Sequence, residues 1–185
     1  MSEQQTSTEV VEPQDPIVIQ QLRGKFSDHI LTVIDQRGEL SVVVDKDASF
    51  QILEFLKVDS NLSYDFLVDV TAIDYSQMEG VLIEYGYARY MLVYHLNCFP
   101  TNERLRLKVP VSEKDLTIKS VVALWDSANW LEREVYDMFG INFDGHPDLR
   151  RILMPDNFEG FPLRKDYPLR GRGEREKFNF GRENV

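Results

Sequence analysis

The sequence predicts an α+β domain: a mostly antiparallel sheet with helices packed on one face, continued by a long extended C-terminal arm. Three observations carry this. Several segments alternate apolar and polar residues with period two, which is the pattern of half-buried strands. Others place apolar residues three and four apart, which is the stripe of an amphipathic helix. Finally, the stretch from Asn129 to Pro168 begins as a helix, stops at a glycine, and continues as proline-punctuated chain carrying arginines beside large apolar side chains.

Residues 1–15 are polar and acidic with one proline, Pro13, and are expected to be disordered. Residues 17–26 form a short helix with Ile19, Leu22 and Phe26 on one stripe. Segments 29–35 and 39–44 flank Gln36-Arg37-Gly38 and predict a β-hairpin. Asp45 or Asp47 then caps a helix whose stripe is Phe50, Leu53 and Leu56. Residues 64–74 predict a strand with Phe66, Val68, Val70 and Ala72 on one face and Leu67, Asp69 and Thr71 on the other. A turn covers 75–80. Strands follow at 87–96 and 103–109, joined by a hairpin loop at 98–102 and ended by Pro110. In the second of these, Leu105, Leu107 and Val109 alternate with Arg104, Arg106 and Lys108, so one face is buried and the other solvated or paired with acids. Two helices complete the body: 117–125, then 127–139 with Asp126 or Ser127 as N-cap and Gly140 just past its end. The expected organisation is an acidic leader (1–15), an α+β domain (16–140) and an extended arm (141–185) that docks on partner subunits.

At 185 residues the chain is long enough for one well-formed core. Its 43% apolar and 28% charged content is that of a globular protein. No window approaches the ~18 apolar residues of a membrane span, and the N-terminus lacks the basic and apolar regions of a signal peptide. A single cysteine, Cys98, excludes an internal disulfide framework and a self-contained Cys-ligated zinc or iron–sulfur site. The net charge of −10 is uneven: from His146 onward nine Lys/Arg stand against seven Asp/Glu, so the acid lies in the body. Such a body disfavours nucleic acid and direct adsorption to anionic lipid.

No autonomous catalytic constellation is evident. His29, His95 and His146 are scattered, and no nucleophile elbow, P-loop or dinucleotide-binding glycine pattern is present. Helix 127–139 is more informative. Trp130, Leu131, Val135, Met138 and Phe139 form its apolar stripe, with Arg133 and Asp137 paired at i, i+4 on the opposite side. Glu134 borders the apolar face. It either meets Arg150 or Arg151 from the returning arm or stays solvated. In the arm, Pro147, Pro155, Pro162 and Pro168 prevent a long helix, while Leu149, Ile152, Leu153, Met154, Phe158, Phe161, Leu163 and Tyr167 supply anchors without periodicity. Arg150, Arg151, Arg164 and Lys165 can make charge-assisted contacts. The arm could wrap its own body, but anchors continue to Phe178 and Phe180, which favours docking on another chain.

The run from Glu132 to Leu153 (EREVYDMFGINFDGHPDLRRIL) resembles the signature of the C subunit of respiratory complex I, the proton-pumping NADH:quinone oxidoreductase, a family that includes the mitochondrial iron–sulfur protein 3. Gly160–Pro168 (GFPLRKDYP) and Arg104–Pro110 (RLRLKVP) match it too. The resemblance implies a non-catalytic structural subunit of the peripheral arm, placed at the cytoplasmic face of the membrane within an oxidoreductase and translocase. It implies no cofactor in this chain, with FMN, iron–sulfur clusters and quinone held by neighbouring subunits. The implied partners are the hydrogenase-like large subunit of complex I, known as the D subunit, and the adjacent B and I subunits. Signature positions carried over as structural or interface residues are Glu132, Arg133, Glu134, Asp137, Gly140, Gly145, His146, Pro147, Asp148, Arg150, Arg151, Arg164, Lys165, Asp166 and Tyr167. The alternative is the equivalent subunit of a related membrane-bound hydrogenase or photosynthetic-type NDH complex.

Overall fold

A computed structural model describes residues 15–84 and 88–173, with the backbone alone for 81–83. The leader expected at 1–15 therefore lies outside the described residues except for Asp15. Helix α1 (Ile17–Phe26) buries Val18, Ile19 and Leu22, and a single 3-10 turn (Ser27–His29) leads into strand β1 (Ile30–Gln36). Strand β2 (Glu39–Val44) pairs antiparallel with β1. Arg37 and Gly38 join them with φ of 58° and 76°. Two successive left-handed residues make the tight turn whose twist matches that of the strands.

Helix α2 (Ser49–Val58) is not capped by Asp45 or Asp47 as the sequence suggested. Asp45 Oδ1 instead accepts the Asp47 N–H at 3.2 Å, and Ser49 Oγ donates to the Lys46 carbonyl at 2.7 Å. The missing cap costs about 1 kcal/mol. Burying Ile52, Leu53 and Leu56 completely contributes roughly 1.5–3 kcal/mol each, so packing decides.

Strand β3 (Phe66–Asp74) carries a bulge between Leu67 and Asp69. One extra residue reverses the facing of everything before it. Leu67 therefore joins Val70 and Ala72 in the core, while Phe66 and Val68 are exposed, contrary to the uninterrupted alternation. Beyond it, helix α3 (Glu79–Glu84) begins in the last two residues of the stretch expected as a turn.

Strand β4 (Tyr90–Cys98) pairs with β3 and with β5 (Glu103–Val111), both antiparallel. Pro110 does not end β5. The β2–β5 ladder ends at Lys108, so beyond that point β5 has one free edge, where a residue without an N–H is tolerated. The sheet order is β1-β2-β5-β4-β3, with β2 and β5 parallel and the other pairs antiparallel.

The helix expected at 117–125 is replaced by strand β6 (Thr117–Lys119) and one turn of chain in which the Trp125 N–H reaches the Val121 carbonyl at 3.0 Å. The apolar spacing of Val121, Leu124 and Trp125 is helical, but Thr117–Lys119 pairs in parallel with β7 (Asn142–Asp144). Helix α4 (Ala128–Phe139) lies between these two short strands in sequence. Its N-cap residue is Ser127, but the hydroxyl donates to the Leu67 carbonyl instead of capping the helix.

The fold is thus α+β with a mixed, mostly antiparallel sheet. Residues of α1, α2 and α4 share one core with the inner sheet face, including Leu92, Tyr94, Leu96, Leu105 and Leu107. The core continues into the expected arm through Ile141 and Phe143. On the other face Val43, Met91 and Val93 form a small cluster with Ile34 and Tyr75.

Candidate functional site

The C-terminal strap, residues 145–173, has no regular element and is held to the body at a seam along α4. Asp137 is the centre of the seam. Its carboxylate is wholly buried. Oδ2 accepts the consecutive N–H groups of Ile152, Leu153 and Met154 at 3.1, 2.8 and 2.8 Å, and Oδ1 takes Arg151 Nη1 at 2.6 Å. Burial alone would raise its pKa, but these N–H groups and the guanidinium hold it below the usual carboxylate range. Arg151 also donates to the Gly160 carbonyl at 3.0 Å and so spans two points of the strap.

Arg133, one turn earlier, grips the strap in the opposite sense. Its Nε and Nη2 donate to the carbonyls of Arg150 and Arg151, each at 3.1 Å. The expected solvent-facing Arg133–Asp137 pair is therefore not formed, and both side chains are buried against the strap. Trp130, expected in the apolar stripe, is 62% exposed and lies under the Arg133 guanidinium, 5.0 Å from ring centroid to charge centre. Glu134 is exposed and meets neither Arg150 nor Arg151, because the strap crosses the face of Arg133 and Asp137 instead.

Gly140 ends α4 at φ 75°, with its N–H on the Tyr136 carbonyl at 2.9 Å. A Cβ there would stand 2.5 Å from Arg164 Nη2 and 2.6 Å from the Phe161 ring. The glycine thus permits both the left-handed cap and the close return of the strap. Arg164 Nε donates to the Phe139 carbonyl at 2.6 Å, another of the helix's terminal acceptors.

A second cluster fixes the end of the strap to the sheet. Asp74, buried at the end of β3, accepts Arg89 Nε at 3.1 Å, Arg89 Nη2 at 2.9 Å, Ser76 N–H at 2.9 Å and Lys165 N–H at 2.8 Å. Burial opposes its ionisation, yet Arg89 and the two amides hold its carboxyl far below the usual range. Arg89 also pairs with Glu113 at 2.5 Å and with Asp166 at 3.0 Å. Tyr90 lies between Arg89 and Arg164, 5.0 and 5.5 Å from its ring, and burial pushes its hydroxyl up to about 12.

The other expected residues are distributed around the seam. His146 accepts the Asp148 N–H on Nδ1 at 3.0 Å, which leaves its Nε2–H to donate to the Asn129 carbonyl, also at 3.0 Å. Gly145 (φ 81°) and Pro147 are exposed in this turn, and Arg150 pairs with Asp148 at 2.9 Å. Tyr167 packs near Phe158, 5.9 Å between centroids. Glu132 faces away from the strap. Fully buried, it accepts Ser120 Oγ and the Val121 N–H, both at 2.7 Å, and burial raises its pKa to about 7 against these two bonds.

Sequence reasoning missed Asp74, Arg89, Glu113, Ser120 and the carbonyl of Gly160. Asp74 left a signal, since the alternation that turns Val70 and Ala72 inward also turns Asp74 inward, and an inward acid requires a partner. Arg89, Glu113 and Ser120 left none, because their distance to the site in sequence carries no periodicity. Among the described residues no three of His, Cys, Asp and Glu converge as a metal site, and no helix is long and apolar enough to cross a membrane.

This is a sheet-and-helix domain whose signature residues build a seam for its own tail, and it is similar in sequence and fold to known proteins. The model of the family "Respiratory-chain NADH dehydrogenase, 30 Kd subunit" matches residues 42–173, and the chain belongs to that family, whose members are subunits of complex I. It is similar to the C subunit of the NADH-quinone oxidoreductase of Trichlorobacter lovleyi, with 49% identity over 84% of this chain and 90% of that one. The C subunit of the Roseiflexus castenholzii enzyme is 40% identical over 92% of each chain. Among solved structures, a trypsin-resistant fragment (1-134) of Nqo5 is 32% identical with a TM-score of 0.59, covering 71% of this chain and 96% of that one. A chain of an archaeal respiratory complex, the membrane-bound sulfane sulfur reductase, shares the fold at a TM-score of 0.68 and 21% identity, over 88% of this chain and 91% of that one.

Proposed function

We propose that this chain is a non-catalytic structural subunit of the peripheral arm of a proton-translocating NADH:quinone oxidoreductase. In this reading it lies at the cytoplasmic face of the membrane, presents its strap to the hydrogenase-like D subunit, and adjoins the B and I subunits. FMN, iron–sulfur clusters and quinone reside in those neighbouring chains, and this one supports electron transfer by holding subunits in register.

One observation carries the reading. The polar groups of the seam are spent within the chain, while Leu153, Leu163 and Leu169 of the strap are 61%, 51% and 104% exposed. The latch thus fixes the backbone and leaves apolar side chains facing outward, an arrangement that lowers the ordering cost of docking. The test replaces all three leucines with aspartate in the full-length chain and recovers the complex from its host by affinity purification. The variant should melt like the wild type but lose the D subunit and quinone-reductase activity at least tenfold. Recovery of a fully active complex with the variant would overturn the proposal, and capture of a hydrogenase large subunit instead would move the chain to the related hydrogenase complexes.

A further inference from the structure

We propose that a recess between the β1–β2 hairpin and β5, on the sheet face away from α4, is a binding site for an oxyanion of phosphate or carboxylate type, held by Lys108 and Arg106. The recess has a volume of about 420 Å³ and is lined by Ile34, Gln36, Arg37, Glu39, Ser41, Arg106 and Lys108, Glu39 being its one acid among the described residues.

Lys108 is a lysine without an ion-pair partner among the described residues. Lys108 lies on a central strand, opposite Val43 on one side and Val93 on the other, and both valines are buried. A half-buried ammonium normally has a counter-ion. Among the described residues no carboxylate stands within ion-pairing distance of Lys108. Its nearest like charge is instead Arg106, two residues away on the same face, ~6–7 Å along the strand. Burial and Arg106 together lower the lysine's pKa.

The local acids do not resolve this. Glu39 pairs with Arg106, and Asp69 lies beyond His95 on the far side of β4. His95, opposite Arg106, is held below its ordinary pKa by burial and by that arginine, and an imidazole, neutral or cationic, cannot balance a cation. Arg37 at the hairpin tip adds a third cation. Ser41, paired with Arg106 in the β2–β5 ladder and 2% exposed, adds a hydroxyl, and Gln36 adds an amide. A partly buried lysine without an ion-pair partner, beside an arginine whose only acid among the described residues is the exposed Glu39 and with neutral donors around an open recess, is complementary to an oxyanion, which would supply the counter-charge that Lys108 lacks.

The test uses the full-length chain with three probes: sodium phosphate, sodium acetate and sodium chloride, at matched pH and ionic strength. For an anion at ten times half-saturation, Tm should rise by about 3–6 °C. Over the same concentrations the NMR titration midpoint of Lys108 Cε should move upward. Both responses should saturate, and the Tm response should vanish in Lys108→Met and Arg106→Gln. General salting-out by phosphate acts on every variant alike, so the difference from Lys108→Met isolates the site. The salt that saturates identifies the phosphate or the carboxylate class. If neither raises Tm beyond its effect on Lys108→Met, or if chloride reproduces the lysine shift, the proposal fails.

Discussion

Asp137 and Glu132 stand five residues apart on one helix, and both are wholly buried, yet their surroundings drive their pKa values in opposite directions. Asp137 has a guanidinium and three amides, so the folded state favours its charge. Replacing it with asparagine leaves Arg151 without its counter-ion, and breaking such a buried pair costs roughly 3–5 kcal/mol, measurable as a lower urea midpoint with an unchanged m-value. Its depressed pKa supplies stability that is present above the unfolded value of 3.8 and is lost as pH falls through the folded pKa. Glu132 has two hydrogen bonds and no cation, and its pKa is raised to about 7. A raised carboxyl contributes stability that is fully present below the unfolded value of 4.5 and is lost as pH rises toward 7. The loss amounts to about 3 kcal/mol. His95, with a lowered pKa, works in the opposite sense across part of this range. The difference between wild type and Glu132→Gln in denaturant titrations from pH 4.5 to 7 therefore isolates the glutamate, and the variant's stability should fall less across that window.

At the scale of elements, α4 matters through its end as much as its face. Gly140→Ala should cost ~1–2 kcal/mol for the left-handed conformation alone and more because the new methyl meets Arg164 and Phe161. Thermal unfolding of the variant, compared with Gly145→Ala, separates the two contributions, since a Cβ at Gly145 meets nothing within 4 Å. The same helix shows what the sequence could and could not disclose. Its boundaries and glycine stop follow from local periodicity and backbone chemistry, as do α1, β2 and the alternation of β5. The side of the helix covered by the strap does not, because Arg133 and Asp137 look like a solvent pair until chain from 150–154 arrives to bury them. The reversed facing of Phe66 and Val68 escaped for a related reason: a bulge adds one residue without altering composition. The helix expected at 117–125 failed because one real helical turn shares its spacing with a strand whose partner lies 25 residues further on, at β7.

At the scale of the whole molecule, body and tail are joined at three separated points: Asp137 and Arg133 on α4, Phe139–Gly140 at its end, and Asp74 with Arg89 at the sheet edge. The amides of Ile152, Leu153 and Met154 should exchange with solvent as slowly as those of α4 in the isolated chain. In Asp137→Asn their protection should fall at least tenfold while amides of β4 keep theirs. Hydrogen exchange followed by mass spectrometry would show this, and equal loss in β4 would mean that the tail is integral to the core.

Apart from those of the Arg151 guanidinium, the bonds that hold 150–154 to α4 fall on main-chain groups: three amides on a carboxylate and two carbonyls on a guanidinium. A clasp of that kind is blind to the identity of the side chains it carries. Leu153, whose side chain is exposed, can therefore be exchanged for another non-proline residue without loosening that attachment, and the chemistry offered to a neighbour can be rewritten while the clasp that presents it stays as it is.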